Sequence, residues 1–478
     1  MNKFFISSLI LSSLLIFSCN SKEILPSSSI SNTNLVLENT TTFKETHSLK
    51  GTGNKKLLVI PVTFKGEREF TDEDLKIINK AFFDENLSSE EDCYYSLKEY
   101  YKKSSFNKVD ISGEVTDVVN VNYTVEEITK EGSYFPGVPA LEYYDNKSVT
   151  DEYLRNFDLD SDGFIDSVVF VYSSKTSSRT GSFWAWVSNF DTESNINRPN
   201  FSRHMWVGLD FFKTSSYKVD AHTIIHEMGH LFNLKDYYPS DNYNLALGGH
   251  NMMDYNISDH DPYSKMLLNW TTPIYYDFKN YKEVNVKLKP FSSSNEVILL
   301  NNKWNHSVMD EYLLIEFYTP TDLNYLDSIK QYENRPLGFT KPGIKIYHVD
   351  SRISKCLYDK NNKTLSFDSY VDTIPTNYDD DVYYIIGASN SNSDSYTDSS
   401  RVGRYKQIAL IENKEVNELQ NGSVADDESL FYEGDKFDSR KSAYLLNNKF
   451  NNKNEVNFVI SVNDINTNFA SINIKYVG

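Results

Sequence analysis

The sequence has little cysteine, less basic than acidic charge, and an apolar start too short to cross a membrane. Three cysteines in 478 residues are too few for a disulfide framework, so we favour free Cys93 and Cys356, with a disulfide between them as the alternative. Lysine and arginine number 48 against 67 acidic residues, and the net charge of −19 argues against a nucleic-acid partner. The apolar residues 4–17 are too few for a transmembrane helix. With 39% hydrophobic residues, the chain is still predicted to fold.

The N-terminal residues have the pattern of a bacterial lipoprotein signal. Lys3 precedes the apolar stretch 4–17, which leads into a lipobox-like sequence ending at Cys19. This pattern predicts a signal peptide over residues 1–18, lipidation of Cys19, and a lipid-anchored protein at the bacterial surface or envelope, outside the cytoplasm. An ordinary cleaved signal peptide is the alternative. Residues 19–53 are rich in Ser, Asn and Thr and are predicted to form a flexible tether.

The first half of the remaining chain combines strand and helix patterns. Residues 56–64 are an apolar run expected to form a buried strand. Residues 71–85 and 92–104 have helical spacing of apolar positions, and residues 109–119 alternate as a strand does. This order predicts an α/β layer for a first domain at residues 54–279.

The second half, residues 280–478, has a different texture. Short alternating apolar runs are separated by loops of Asn, Asp, Ser and Gly, which is typical of strands. The eight clearest runs are 284–288, 297–300, 312–317, 343–349, 382–386, 408–411, 456–462 and 470–476. They predict a β-rich, sandwich-like C-terminal domain. Residues 389–403 are predicted to be an exposed loop.

The strongest motif is H-E-x-x-H, formed by His226, Glu227 and His230. Apolar residues around it predict a helix over residues 219–234 that packs on the core. On such a helix the two histidines are one turn apart on the same face and can bind one Zn²⁺. Glu227 can then act as general base on the attacking water. The motif therefore predicts a hydrolytic zinc site.

A catalytic zinc site needs a third protein ligand, and Asp236 is the leading candidate. It lies six residues past His230, where a sharp turn after the helix would return it to the metal. Asn233 occupies the position at which such turns often have Gly, and Asn tolerates the left-handed backbone well. His250 and His260, in the following loop, are alternative third ligands.

A motif that contains two methionines follows the helix. Residues 248–254 carry two glycines and two methionines, and this pattern resembles the Met-turn that lies beneath the metal in one branch of the zincins. Met253 is the predicted Met-turn residue and Met252 is the second choice. His222, one turn before His226, is expected to have a capping or surface role, and support of a metal ligand is the alternative.

Residues 158–166 predict a Ca²⁺-binding loop. Carboxylates stand at every second position, and Gly163 at the sixth position allows a sharp turn. The predicted ligands are the backbone carbonyl of Phe164 and the side chains of Asp158, Asp160, Asp162 and Asp166. Position twelve lacks the Glu of an EF-hand, and a strand is predicted at 168–172 instead. The alternative is an Asp-rich turn without an ion.

With these motifs in order, the chain resembles the M6 peptidases, the immune inhibitor A-like secreted zinc metalloproteases. The matching segments are 57–64, 100–106, 158–166, 226–236, 251–254, 262–270, 311–316 and 343–350. The resemblance implies a metzincin-like catalytic domain, zinc bound by His226, His230 and Asp236, structural Ca²⁺, and extracellular protein substrates.

Together these observations predict an α+β zinc endopeptidase with a β-rich C-terminal region. Glu227 is the expected catalytic residue, and the complete H-E-x-x-H motif argues against a degenerate scaffold. The alternative is a non-catalytic surface adhesin or binding protein on a zincin scaffold. A further alternative is that the C-terminal region binds glycans and directs cleavage to glycoproteins.

Overall fold

The computed structural model describes residues 49–130, 137–176, 183–239, 245–278, 281–362, 364–375, 377, 379, 381–391 and 405–478. The predicted signal peptide, Cys19 and the tether up to residue 48 lie outside these residues. Over the ranges given, the protein is mixed α/β and contains several separate sheets. Over the same ranges, no helix has the length and apolar character needed to span a membrane.

A six-stranded sheet lies at the centre of the N-terminal half. Its strands are β1 Gly53–Phe64, β2 Val109–Val115, β3 Val119–Val121, β4 Ser167–Tyr172, β5 Trp186–Asn189 and β6 Arg203–Gly208. The order is β2–β1–β4–β6–β5, and β3 also pairs with β1. All pairings are parallel except that of β5 with β6. In the part of the sheet that is described, β5 is therefore an antiparallel terminal strand.

Helices cover both faces of this sheet. They are α1 Asp72–Phe83, α2 Leu97–Ser104, α3 Val125–Lys130, α4 Gly137–Tyr144, α5 Asp151–Arg155, α6 His222–Leu231, α7 Met252–Tyr255 and α8 Pro262–Leu267. Alternate residues of β1 serve the two faces: Leu57 and Val59 join the core under α1, α2 and α6. Leu58 and Ile60 join the core under α3, α4 and α5. Burial on both faces explains why this strand has a continuous apolar sequence.

The predictions for this half are confirmed in type, with shifts at the ends. The helix predicted at 71–85 is α1, and it begins at a capping box between Thr71 and Asp74. The helix predicted at 92–104 begins only at Leu97, because Ser96 caps its N-terminus. The single strand predicted at 109–119 is wrong at its end, where the chain divides into β2 and β3.

The C-terminal half is rich in strands, as predicted. They are β7 Ile274–Tyr275, β8 Glu283–Leu288, β9 Val297–Leu300, β10 Glu311–Tyr318, β11 Gly343–Asp350, β12 Ile353–Asp359, β13 Thr364–Val371, β14 Val382–Ile386, β15 Ile408–Ile411, β16 Lys436–Asp438, β17 Phe458–Ile465 and β18 Ala470–Tyr476. Two short helices accompany them, α9 Phe291–Ser294 and α10 Tyr325–Ile329. Three sheets result, ordered β15–β11–β10–β9–β7, β16–β17–β18–β8 and β13–β12–β14.

The five-stranded sheet is a middle layer with both faces covered. Every residue of β10 is buried. Leu313 and Ile315 face the four-stranded sheet, so these two sheets enclose one apolar core. Tyr312 and Leu314 belong instead to the core that contains α6. Residues on both sides of position 280 therefore share one continuous core.

A buried polar cluster also joins the two halves, and His222 is at its centre. The His222 side chain is fully buried, contrary to the surface role considered from the sequence. Its Nδ1 lies 2.8 Å from a carboxylate oxygen of Asp220, and its Nε2 lies 3.1 Å from one of Asp327 in α10. The rings of Tyr94 and Tyr332 stack on either side. Burial by itself lowers the pKa of His222, but the two carboxylates outweigh it and raise the pKa to about 9.

This histidine is expected to make stability pH-dependent at alkaline pH. A folded-state pKa above the unfolded value gives stabilisation that is present below about pH 6.5 and lost as the pH rises through about 9. The loss should amount to about 3 kcal/mol. Urea unfolding at pH 6 and pH 10 should show wild type losing more stability than His222→Gln. Burial raises the pKa of Tyr94, Tyr217 and Tyr332, so these tyrosines also lower the stability at pH 10, but they do so in both proteins, and the difference between the two proteins isolates His222. Equal losses in both proteins would contradict this role.

Candidate metal centre

Helix α6 carries the H-E-x-x-H motif and is buried along almost its whole length. Its apolar residues, among them Ile224, Ile225 and Met228, lie in the core beneath the six-stranded sheet. The Tyr101 hydroxyl of α2 donates to the Ile225 carbonyl oxygen at 2.7 Å, which ties the middle of the helix to its neighbour. The helix is thus held by packing on several sides, which is the arrangement expected of a rigid support for a site.

The helix ends in a turn that reverses the chain toward the motif. The Leu234 N–H donates to the Gly229 carbonyl at 2.9 Å, and the Asn233 N–H donates to the His230 carbonyl at 2.8 Å. Asn233 has φ +70°, so the two bonds form a Schellman motif with Asn at the left-handed position. This confirms the prediction that Asn233 replaces the usual glycine, and it explains how Asp236 returns.

The three predicted zinc ligands converge at one point. One carboxylate oxygen of Asp236 lies 3.1 Å from His226 Nε2 and 3.2 Å from His230 Nε2. The other ring nitrogens are engaged by the backbone: His226 Nδ1 donates to the Met252 carbonyl at 2.7 Å, and His230 Nδ1 donates to the Leu234 carbonyl at 2.9 Å. Both Nε2 atoms therefore face the same point as the carboxylate, which is the arrangement of a first coordination shell with its supporting hydrogen bonds.

The electrostatics of the cluster reflect this close approach. Burial by itself raises the pKa of Asp236, but His230 and His226 outweigh it and hold the pKa well below the usual range. Burial lowers the pKa of His230, and Asp236 more than compensates, so that the pKa rises to about 9. Burial also raises the pKa of Glu227, and the two histidines only partly oppose this rise. The potential ligand atoms of His226, His230 and Asp236 thus surround a position that favours positive charge.

Met253 packs directly under this cluster. A Cβ atom built on Gly229 would lie 2.4 Å from the Met253 sulfur, so the glycine of the motif is what allows the contact. The backbone of the same segment binds the site on two sides, because the Met252 carbonyl accepts from His226 and the Met253 carbonyl accepts from the Tyr237 N–H at 2.8 Å. The structure therefore places Met253, the first choice, against the helix.

The two alternative third ligands do not join His226 and His230 in one group of potential ligand atoms. His250 Nε2 donates to the Ala425 carbonyl at 2.8 Å, and its ring stacks on Phe339. His260 is fully buried among Tyr100, Tyr101 and other aromatic rings. Among the described residues, only Asp236 joins His226 and His230 in one group of potential ligand atoms.

The left-handed turn gives a direct stability prediction. Alanine at position 233 should destabilise the protein by about 1 kcal/mol, because an L-residue with a Cβ is strained at this backbone conformation. Glycine at the same position should leave the stability close to that of wild type, because it adopts positive φ without this strain. Urea unfolding of Asn233→Ala and Asn233→Gly checks the pair. Equal stability of the two variants would show that the backbone conformation is not the cause.

The acidic loop forms a second group of carboxylates. Oxygens of Asp158, Asp160 and Asp166 lie within 4.8 Å of one another. Gly163 has φ +88°, and a Cβ there would lie 2.3 Å from the Ser194 hydroxyl, so the turn requires glycine. Burial, with Asp160 and Asp158 adding to it, raises the pKa of Asp166 to about 7.

The other two predicted Ca²⁺ ligands stand slightly apart from this group. Asp162 is not one of the three converging carboxylates, and one of its oxygens accepts a hydrogen bond from the Phe164 N–H at 2.9 Å. Both residues nevertheless line the hollow beside Asp160 and Asp166. Lys50 forms an ion pair with Asp160 at 3.1 Å across the same hollow.

The H-E-x-x-H helix opens onto a cleft of about 300 Å³. Glu227, His230 and Asp236 form its floor, and residues of β5 and β6, including Val187 and Arg203, form one wall. We use "the cleft" for this hollow. It brings the ionisable groups of the motif together with the terminal strand of the sheet.

Sequence reasoning missed part of this wall and misplaced another part. Strands β5 and β6 were not predicted, although Arg203, Met205 and Val207 alternate along β6 toward α6, a pattern that could have revealed the strand. The prediction that 389–403 is exposed is wrong for residues 389–391, which are buried beside the cleft. Residues 392–403 lie outside the described residues. Cys93 and Cys356 are free and buried, as expected.

Comparison with known proteins assigns no function to this site. No protein-family model matches the chain, and no curated protein matches it. The functional interpretation therefore depends on the residues and their geometry.

Proposed function

We propose that this protein is a zinc-dependent endopeptidase, similar to the M6 peptidases and with a metzincin-like catalytic region, that cleaves extracellular proteins. The observation that carries the proposal is the convergence of His226, His230 and Asp236 beside Glu227 in the cleft. The lipobox-like sequence supports an anchor at Cys19 and a position at the bacterial surface.

The donor set fits zinc. Ligand atoms around a tetrahedral Zn²⁺ with bonds of about 2.0–2.1 Å lie about 3.3 Å apart. The carboxylate oxygen of Asp236 lies 3.1 and 3.2 Å from the two histidine Nε2 atoms. Two imidazoles and one carboxylate leave a fourth position open, as catalytic zinc sites require. His226 and His230 are held in the right tautomer by the backbone carbonyls that accept from their Nδ1 atoms.

The chemistry follows from the groups in the cleft. Bound Zn²⁺ supplies Lewis acidity, which makes water more acidic and polarises a carbonyl group. Glu227 takes a proton from the attacking water and passes it to the leaving amine. Its position next to His226 on the helix places its carboxylate beside the ligands, and its burial limits competition from bulk water.

The terminal strand β5 suits an extended peptide substrate. It pairs with β6 in antiparallel fashion and is the last strand of the described sheet, beside the cleft that contains Glu227. An extended chain can add to such an edge through main-chain hydrogen bonds, which recognise peptides of many sequences. This supports an endopeptidase acting on unfolded or exposed segments of proteins.

We also propose a structural Ca²⁺ in the acidic loop. Asp158, Asp160 and Asp166 supply oxygen atoms of the kind Ca²⁺ prefers, and Gly163 supplies the turn. Three carboxylates so close would repel one another when ionised, and a cation would remove that repulsion. The loop leads directly into β4, so the cation would fix the start of a central strand.

Metal analysis with chelation tests the proposal. The purified protein should contain one zinc per chain and cleave casein; 1,10-phenanthroline should stop cleavage and added Zn²⁺ should restore it. Calcium per chain, measured in the same preparation, tests the acidic loop separately. Cleavage that persists in metal-free protein would overturn the zinc mechanism. Zinc binding without hydrolysis across a broad substrate screen would instead support a surface binding protein.

A further inference from the structure

Arg203, the first residue of β6, is a buried cation in the wall of the cleft. Its side chain is 8% exposed and lies in the same cleft as Glu227 and His230. One terminal N–H group donates to the His230 carbonyl oxygen. Its Nε has no hydrogen-bond partner among the described residues. Within these residues, no carboxylate forms an ion pair with the guanidinium.

A lone buried guanidinium is energetically unusual. Arginine is rarely buried without a partner, because removing its charge from water is costly unless an anion or several acceptors replace the lost hydration. The guanidinium has five N–H donors, and a single carbonyl uses only part of this capacity. An anion that entered the cleft would supply the missing partner.

The charges around the cleft point the same way. Lys235 also lines it, which makes two basic side chains. The carboxylates of the described lining are Glu227 and Asp236, and both are assigned to the proposed zinc chemistry. The described lining thus carries two basic side chains against two carboxylates, whereas the whole chain has a net charge of −19. Arg203 and Lys235 attract an acidic ligand electrostatically.

We propose that Arg203 binds a carboxylate of the peptide substrate, so that the enzyme prefers cleavage next to an acidic group. This rests on the proposed peptidase function. The planar guanidinium matches a carboxylate with two parallel hydrogen bonds, a fit that lysine cannot reproduce. The carboxylate can come from an Asp or Glu side chain near the scissile bond or from the C-terminus of a peptide.

The competing role for Arg203 is purely structural. Its N–H group at the His230 carbonyl caps the C-terminal end of α6, where a cation is favourable. A cap would act equally on all substrates. Substrate recognition would instead change the ratio of rates between acidic and neutral peptides, and this ratio is the quantity to measure.

The test uses zinc-loaded protein and quenched peptides that differ only by Glu or Gln at each position around one cleavage site. A second pair differs by a free or an amidated C-terminus. Wild type should prefer one carboxylate-bearing peptide by about ten- to one-hundredfold in kcat/KM. Arg203→Met should bring this ratio close to one, and Arg203→Lys should restore only part of it. Arg440→Met, which removes an exposed arginine of the C-terminal half, should keep the wild-type ratio.

Binding provides a readout that does not need turnover. Fluorescence anisotropy of the labelled Glu and Gln peptides is measured on Glu227→Gln protein with and without Arg203→Met. Tighter binding of the acidic peptide, lost with Arg203→Met, supports the proposal. Preference for the free C-terminus also supports it and identifies the terminus as the source of the carboxylate.

Two results would overturn the proposal. The first is equal cleavage and equal binding of acidic and neutral peptides by protein that carries Arg203. The second is an Arg203→Met variant with a lower melting temperature and slower cleavage of every peptide but an unchanged ratio, which would make Arg203 a helix cap only. If zinc-loaded wild type cleaves no peptide, the peptidase function fails, and the anisotropy ratio still decides whether Arg203 binds a carboxylate.

Discussion

Glu227→Gln should retain one zinc per chain and hydrolyse peptides about a hundred- to ten-thousandfold more slowly than wild type. Glutamine has nearly the same shape as glutamate but cannot accept a proton from water. Glu227 is 7% exposed and lies in the cleft beside His230 and Asp236, so few other groups can replace it. The rate is measured as kcat on a quenched peptide, and zinc is measured by elemental analysis of the same sample.

The matched control for this variant is Glu73→Gln. Glu73 is an exposed glutamate in the first turn of α1, outside the cleft lining. It should change neither the rate nor the zinc content. A Glu227→Gln protein that retains full activity would assign proton transfer to another group. A variant that loses its zinc would show instead that Glu227 supports the metal site, and the catalytic assignment would not stand.

Asp236→Ala should weaken zinc binding by more than about a hundredfold and remove activity with it. Loss of an outer-shell partner alone costs about ten- to a hundredfold in metal affinity, and the proposed zinc site makes Asp236, 3.1 and 3.2 Å from the two histidine Nε2 atoms, a direct ligand. Its loss leaves only two imidazoles, which is one ligand fewer than catalytic zinc sites have. Zinc affinity is measured by competition with a chelating dye. Circular dichroism checks that the fold is kept.

The paired variant is His250→Gln, which tests the alternative ligand considered from the sequence. Glutamine retains an N–H donor for the Ala425 carbonyl that His250 contacts. Zinc affinity should therefore be unchanged. The opposite pattern, with zinc lost in His250→Gln and kept in Asp236→Ala, would reverse the ligand assignment.

The convergence of the three candidate metal ligands could be predicted because it depends on local sequence. Helical spacing puts His226 and His230 on one face, and the tolerance of Asn for positive φ at position 233 allows the return of Asp236. The predictions for β-rich sequence after residue 280 are likewise confirmed by strands at all eight runs. These features need only the chemistry of neighbouring residues.

Features that depend on distant residues could not be predicted in this way. Strands β12 and β13 form a small sheet with many exposed polar residues, so their apolar alternation is weak. Arg203 is remote in sequence from the residues it meets in the cleft. Residues 389–391 are polar but buried. Their burial is possible because the Asn390 side chain forms hydrogen bonds with backbone groups of Tyr237 and Ile408, which replace those to water.

Because the two halves share one core, the site can be completed only late in the synthesis of the chain. The turn that leads to Met253 is completed by Ala425, whose N–H donates to the Gly248 carbonyl and whose carbonyl accepts from His250, 175 residues earlier. Synthesis proceeds from the N-terminus, so the H-E-x-x-H segment is made long before Ala425 is available for these contacts. Closure of such long loops is a late step. A partly synthesised chain therefore lacks the finished support of its cleft, and hydrolysis is expected only from a chain that has emerged almost completely.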